Sequence, residues 1–119
     1  MQRDLRERTK QFALRIIKLY LAKPRRGAGG VLGYQILKAG TSVGTHYREA
    51  QRAKSDADFV SKIEGALQEL DVYWLELLGE GGILPMKRLQ SLQKEAEELI
   101  AILVTVVKRV KIRGNRRPT

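Results

Sequence analysis

A serine and the only histidine of the chain stand four residues apart, Ser42 and His46. At that spacing they share one face of a helix, and a hydroxyl beside an imidazole is the pairing that activates a nucleophile. No third residue is placed to orient the imidazole, and a single helix face does not easily form an oxyanion hole. The favoured interpretation is therefore a structural hydrogen bond or a polar interface contact.

Three carboxylates close together in a helix could hold a metal ion inside a bundle, and this chain has Glu95, Glu97 and Glu98. The di-iron pattern of helical bundles needs Glu-x-x-His on two helices, and one histidine cannot supply it. The absence of cysteine excludes thiolate nucleophiles, disulfides and cysteine-ligated metals. The three glutamates are interpreted as a solvated face. We expect no metal, no cofactor and no enzymatic activity.

A glycine-rich stretch over residues 27–33 precedes the second predicted helix. Loops that cradle phosphates follow a strand and have the spacing G-x-G-x-x-G or G-x-x-x-x-G-K-[ST]. Here the preceding element is a predicted helix and neither spacing is present. We interpret residues 24–30 as a flexible linker that leads into the second helix.

The strongest signal for a partner is the uneven distribution of charge. Residues 1–26 contain nine Lys/Arg and two acids, residues 27–107 contain eight and eleven, and residues 108–119 contain six and none, for a net charge of +10. An excess concentrated at both ends of the chain indicates an anionic partner. The alternative interpretation is a solvated basic face with a disordered tail.

Four stretches carry apolar residues at spacings of three and four, the period of an amphipathic helix. We predict helices over residues 4–22, 31–53, 55–78 and 85–111, with a basic tail over 112–119. No stretch alternates with period two, so the predicted fold class is all-α. A length of 119 residues corresponds to one domain, covering residues 1–119.

Two features place the ends and contacts of these helices. Ser55 precedes two acids and can accept a hydrogen bond from an early backbone N–H, which predicts the start of the third helix. Gly40 and Gly44 lie inside the second predicted helix, where glycine is unfavourable. They indicate either close approach of a neighbouring helix or a break near residues 40–42. Gly79 is predicted to end the third helix.

The fourth predicted helix has the most regular pattern. Its apolar seam alternates spacings of three and four over Leu89, Leu92, Ala96, Leu99, Leu103, Val106 and Val110. Ile100, Val104 and Val107 widen that seam on one side. Because soluble monomers rarely expose so broad an apolar surface, we expect these three residues to contact another subunit.

Short connections between four helices predict an antiparallel, up-down-up-down four-helix bundle. In that topology the start of the first helix and the end of the fourth meet at one end, which we call the basic pole. Its residues are Arg3, Arg6, Arg8, Lys108, Arg109, Lys111, Arg113, Arg116 and Arg117. We predict that the basic pole binds an anion or a nucleic acid through its phosphates.

Two motifs resemble those of a bacterial protein family. One is Gly40-Thr41-Ser42-Val43-Gly44 followed by Tyr47-Arg48-Glu49-Ala50 and Arg52-Ala53, and the other is Tyr73-Trp74-Leu75-Glu76-Leu77-Leu78. They resemble the four-helix-bundle proteins of 23S rRNA intervening sequences. Two departures are His46, where Asn is more usual, and a stretch from 66 to 73 that is about two residues shorter than the common form.

The resemblance implies a ring assembly, typically a homopentamer, and a distant kinship with accessory proteins of diversity-generating retroelements, which bind a reverse transcriptase and nucleic acid. It also directs attention to the second helix. Tyr47, Arg48, Glu49 and Arg52 are expected on a subunit interface or ring surface, where Glu49 can pair with Arg52. The family has no established enzymatic activity.

The sequence thus predicts a non-enzymatic, oligomeric helical-bundle scaffold that binds nucleic acid, a nucleic-acid-processing protein such as a reverse transcriptase, or both. The alternative is a pure protein–protein interaction ring without a nucleic-acid role. No apolar run reaches the length of about 20 residues that spans a bilayer. The expected compartment is the cytoplasm, with no membrane partner.

Overall fold

The computed structural model describes the backbone of residues 2–22, 27–70 and 73–116, and the side chains of residues 5–21, 30–70 and 73–114. Five helices account for this part of the chain: α1 (Gln2–Ala22), α2 (Gly27–Gln51), α3 (Asp56–Glu69), α4 (Tyr73–Glu80) and α5 (Met86–Arg116). The described residues contain no strand, and the all-α class is confirmed. The molecule is elongated, with extents of 56 × 22 × 20 Å.

The contact between α1 and α2 depends on the small residues of α2. A Cβ built on Gly40 would lie 2.8 Å from Cγ1 of Ile16, and one on Gly44 would lie 3.6 Å from Oγ1 of Thr9. Residues later in α1 therefore lie beside residues earlier in α2. The helix is continuous through residues 40–42, so these glycines serve close packing, and the alternative of a break is wrong.

The third predicted helix, residues 55–78, is divided in the structure into α3 and α4. Ser55 caps α3 as expected, because its Oγ accepts a hydrogen bond from the Asp58 N–H at 3.0 Å. The helix ends at Leu70, whose N–H is shared between the carbonyls of Ala66 and Leu67 at 3.2 Å each. This tightening of the last turn ends the helical hydrogen-bond pattern.

The break between α3 and α4 shifts the register of the buried residues by one position. The buried residues are Ile63, Ala66 and Leu70 before the break and Leu75 and Leu78 after it. An unbroken helix would instead have buried Trp74 and Leu77. The break falls within residues 66–73, the stretch that the family resemblance predicts to be about two residues shorter than the common form.

The long helix α5 contributes seven buried residues to the core: Leu89, Leu92, Ala96, Leu99, Leu103, Val107 and Val110. Val107 is buried where the apolar pattern predicted Val106, so the alternation between spacings of three and four residues is interrupted once. A straight helix has 3.6 residues per turn and drifts by about 20° per heptad. The eleven-residue step from Ala96 to Val107 corrects that drift.

Three predicted boundaries differ from the structure. Residues 27–30, interpreted as a linker, belong to α2, which begins at Gly27. The tail predicted from residue 112 is helical as far as Arg116, and residues 117–119 lie outside the described part. The glycine with left-handed backbone after α4 is Gly82, with φ of 72°, and Gly79 lies inside the helix. Among the described residues, no helix combines the length and apolar character needed to cross a bilayer.

Candidate nucleic-acid interface

Arg8, a predicted residue of the basic pole, lies instead beside Glu95, thirteen residues or about 20 Å along α5 before Lys108. Its Nη2 donates to Glu95 Oε1 at 2.6 Å and its Nε donates to Glu95 Oε2 at 3.2 Å. This two-point geometry is the strong form of an ion pair, and the side chains are 33% and 19% exposed. The interpretation of Glu95 as part of a solvated face is therefore wrong, whereas anion binding by Arg8 stays a prediction in which an external anion competes with Glu95.

Two further cations of the basic pole pair with carboxylates of α3. Arg113 Nη2 lies 3.1 Å from Asp56 Oδ1, and Lys111 Nζ lies 3.6 Å from Glu64 Oε2. Both pairs are largely exposed, so each contributes little to stability. They nevertheless reduce the positive charge that this end of the molecule presents to a ligand.

The other residues of the basic pole fall into two groups. Arg6, Lys108 and Arg109 are exposed, and no ion pair involves them among the described side chains. Arg3 and Arg116 lie in helices but their side chains are outside the described part of the chain, and Arg117 is outside it altogether.

A groove of about 560 Å³ opens at this end of the molecule, and we call it the pole groove. Its apolar residues include Phe59, Val106 and Val110, and its cations are Lys54, Arg109 and Arg113. Asp56 also lines it. The pole groove thus combines an apolar floor with a rim of mixed charge.

A second basic surface, which the sequence analysis missed, lies between α1 and α5. This α1–α5 groove has a volume of about 370 Å³ and is lined by Arg15, Lys18, Leu19, Arg88 and Leu92. Arg15 Nη2 donates to Ser91 Oγ at 2.6 Å. The spacing of Arg15 and Lys18 places both on one side of α1, but only the packing of α1 on α5 brings Arg88 to them.

Two residues expected at a subunit interface lie in the core of the subunit instead. Tyr47 is 1% exposed and Val107 is 7% exposed. Burial raises the pKa of Tyr47 above its ordinary value because desolvation disfavours the phenolate. Both interface predictions are corrected: the apolar contacts of these side chains are made within the subunit.

The remaining interface candidates keep part of their surface. Arg48 is half-buried beside a shallow groove between α1 and α2, and Arg52 is exposed. The carboxylate of Glu49 lies 3.3 Å from His46 Nδ1, where a pair with Arg52 was expected. Ile100 and Val104 are partly exposed on α5.

The residues examined for catalysis and metal binding have ordinary surroundings. The hydroxyl of Ser42 donates to the carbonyl of Lys38 at 2.7 Å, a hydrogen bond within the helix that confirms the structural interpretation of this serine. In the part of the chain that is described, no group of three or more potential metal ligands forms.

The outer side of the α1–α2 pair carries exposed apolar side chains. Leu14 and Leu21 on α1 are 42% and 59% exposed, and Val31 and Tyr34 on α2 are 63% and 56% exposed. Leu14 and Leu21, seven residues apart, share one side of α1, and Val31 and Tyr34, three residues apart, share one side of α2. We call these four residues the α1–α2 apolar face. The apolar spacing of the sequence predicted the unpartnered apolar surface on the fourth helix instead.

The model of the 23S rRNA-intervening sequence protein family matches residues 2–105. The chain is also similar to the structure of a protein with unknown function from the S23 ribosomal protein family of Bacteroides thetaiotaomicron VPI-5482. The two are 31% identical with a TM-score of 0.82, over 90% of this chain and 97% of the other. No curated protein matches significantly. The resemblance of the two motifs is confirmed, and the chain belongs to the family of 23S rRNA-intervening sequence proteins.

Proposed function

We propose that this protein is a non-enzymatic, oligomeric scaffold of the cytoplasm that binds nucleic acid through the phosphates. Its subunit is an antiparallel four-helix bundle in which α3 and α4 together form the third helix. The register of its contacts supports this topology, since Arg8 contacts Glu95 whereas Arg15 contacts Ser91. As residue numbers rise along α1, the numbers of the residues contacted on α5 fall, as expected for antiparallel helices.

The observation that carries the proposal is the pair of exposed, unpaired cations near the end of α5. Lys108 and Arg109 have no carboxylate partner among the described side chains, and Arg109 lines the pole groove. Lysine and arginine at such a surface displace the counterions of a nucleic acid without reading its bases. A protein that processes nucleic acid, such as a reverse transcriptase, is the proposed second partner.

The nucleic-acid role is tested by fluorescence anisotropy with labelled duplex DNA and single-stranded RNA of mixed sequence. We expect log affinity to fall linearly with log salt, with a slope of about 0.9 for each phosphate contact on duplex DNA. Lys108→Gln with Arg109→Gln should lower that slope by nearly two, again at about 0.9 per contact. Lys38→Gln with Lys62→Gln removes the same charge from α2 and α3 and serves as the matched control. An equal effect of both double variants would contradict a role for the basic pole.

The proposed assembly is a ring of identical subunits, for which the family suggests five. The α1–α2 apolar face supports an intersubunit contact, because soluble monomers rarely keep such a patch exposed. Light scattering at micromolar concentration should give a multiple of the 13.5 kDa chain mass. Leu14→Gln with Tyr34→Gln should dissociate the assembly, whereas Ile112→Gln, on an exposed side chain of α5, should not. A monomeric wild type would contradict the proposal.

The second candidate function is an interaction ring that binds only protein. The same apolar face favours it, because that face is available whether or not a nucleic acid binds. The two functions differ in one measurement: a protein-only ring shows no affinity for either nucleic acid at low salt. That result would replace the leading proposal with the second.

A further inference from the structure

The α1–α5 groove holds its cations without neutralising them. Among the described residues, the groove is lined by three cations and two leucines and by no carboxylate. The guanidinium of Arg15 is fixed by the hydroxyl of Ser91, which is a neutral partner. Lys18 and Arg88 are exposed and form no ion pair among the described side chains. The groove therefore presents three positive charges, and one of them, on Arg15, is held in place by a hydrogen bond.

The charges next to the groove add to this effect. Ser91 faces α1, and residues four before it and three after it share its side of α5. These residues are Lys87 and Lys94, and both are exposed. The carboxylate one turn after Ser91 is Glu95, which Arg8 already binds at two points, so its charge is compensated within the chain. Glu98, seven residues after Ser91, is an exposed carboxylate on the same side, between this groove and the end of α5.

The α1–α5 groove and the pole groove lie on the same face of α5. Eighteen residues separate Ser91 from Arg109, and eighteen residues are five complete turns of an α-helix. The same step leads from Arg88 to Val106, which lines the pole groove. At a rise of 1.5 Å per residue, the two grooves are about 27 Å apart along the helix axis. Between them, α1 packs on α5 through the neutral Arg8–Glu95 pair.

We infer that the α1–α5 groove is a second phosphate-binding site, distinct from the basic pole, and that a single nucleic acid contacts both. The inference rests on the proposed function for the class of ligand and adds to it the site and its geometry. Arginine and lysine are the residues that bind phosphate through charge-assisted hydrogen bonds. No aromatic side chain in the described part of the chain lines the groove, so these residues offer bases no platform on which to stack. The ligand is accordingly the sugar–phosphate backbone, common to DNA and RNA, and the site reads no sequence.

The test compares two double variants of the full chain with the same loss of charge. Lys18→Gln with Arg88→Gln removes two groove cations and leaves the Arg15–Ser91 hydrogen bond in place, and Lys38→Gln with Lys62→Gln is the control. The probe is a fluorescein-labelled DNA duplex of about 20 base pairs, longer than both sites together. We expect the groove variant to bind about tenfold more weakly and its salt slope to fall by nearly two. The control should retain the wild-type slope, and circular dichroism should show the same helix content in all three proteins.

The outcomes separate this inference from the proposed function. If the groove variant keeps the wild-type slope while Lys108→Gln with Arg109→Gln lowers it, the groove is not a phosphate site and the proposed function stands. If the wild type binds neither duplex DNA nor single-stranded RNA at low salt, both fail. A titration with poly-glutamate completes the set: binding of that peptide in the groove, with none of nucleic acid, would assign the groove to an acidic protein and overturn the inference. If the groove variant loses binding to duplex DNA but keeps binding to single-stranded RNA, the basic pole binds only RNA.

Discussion

The two basic regions of this molecule contain similar residues in different electrostatic settings. At the basic pole, Lys111 and Arg113 each lie within ion-pair distance of a carboxylate on α3. In the α1–α5 groove no carboxylate lines the wall within the described residues, and Arg15 is held by the neutral hydroxyl of Ser91. The positive charge that a ligand meets depends on which helix packs beside each cation. The distribution of charge along the sequence favours the basic pole as the anion-binding site, whereas the packing of the helices favours the α1–α5 groove.

Reversing the charge of the groove should produce the largest effect. Lys18→Glu with Arg88→Glu replaces two phosphate contacts by two repulsions, and we expect affinity for duplex DNA to fall on the order of a hundredfold at low salt. The matched variant, Lys38→Glu with Lys62→Glu, changes the net charge equally at residues outside both grooves. Anisotropy titrations of the two proteins compare them directly. A loss of the same size in the control would mean that net charge alone determines binding.

A substitution in the core should disturb the groove without touching its cations. Gly40→Ala places a Cβ 2.8 Å from Cγ1 of Ile16, the residue that follows Arg15. Overpacking of this kind costs about 1–3 kcal/mol of unfolding free energy, and moving α1 should weaken DNA binding in the α1–α5 groove. Gly114→Ala is the control, because no atom outside its own helix lies within 4 Å of an added Cβ. Urea unfolding gives the stabilities, and an unchanged midpoint for Gly40→Ala would contradict the close contact.

The ion pair between the two regions can be opened from its acidic side. Glu95→Gln removes the carboxylate that the half-buried guanidinium of Arg8 binds at two points, and we expect a loss of about 1 kcal/mol of stability. The loss of one negative charge from this side of α5 should also strengthen DNA binding severalfold. Glu97→Gln, two residues further along α5 and exposed, should stay within about 0.5 kcal/mol of the wild type. Thermal unfolding at low salt measures both, and equal stabilities would show that the pair contributes nothing.

The smallest effect is expected from releasing a cation of the basic pole. Glu64→Gln removes the carboxylate 3.6 Å from Lys111 Nζ, and affinity for duplex DNA should rise about twofold, in keeping with the small energy of an exposed pair. Glu76→Gln makes the same change of net charge at an exposed residue of α4. A rise of equal size in both variants would show that the local pairing at the pole is irrelevant.

The sequence was sufficient for the helices with regular apolar spacing. In α1 the apolar residues that recur at helical spacing, such as Leu5, Phe12 and Ile16, are the buried ones. The break after Leu70 could not be predicted, because its consequence is a one-residue shift that the apolar residues Trp74, Leu75, Leu77 and Leu78 accommodate in either register. The burial of Val107 in place of Val106 follows from the drift of a straight helix relative to a heptad repeat. Because both residues are valine, the sequence does not show which of them is buried.

The candidate site was less predictable than the fold because it depends on contacts between helices. Arg8 and Glu95 are eighty-seven residues apart, and nothing local indicates that they pair. Arg15 and Lys18 are visible in the sequence as neighbours on one helix face, but the register that adds Arg88 is a property of the packed structure. Tyr47 was assigned to an interface because it belongs to the family motif in the second helix. Packing within the subunit core is what buries it.

The length of DNA needed for full affinity tests the central claim most directly. If one nucleic acid contacts both grooves on a face of α5, a duplex must span about 27 Å, which at 3.4 Å per base pair is about 8 base pairs. Duplexes in a series from about 5 to 20 base pairs should therefore show a steep rise in affinity near 8 base pairs, together with a rise in salt slope. Lys18→Gln with Arg88→Gln should abolish that rise. A gradual increase with length, identical in wild type and variant, would contradict the account.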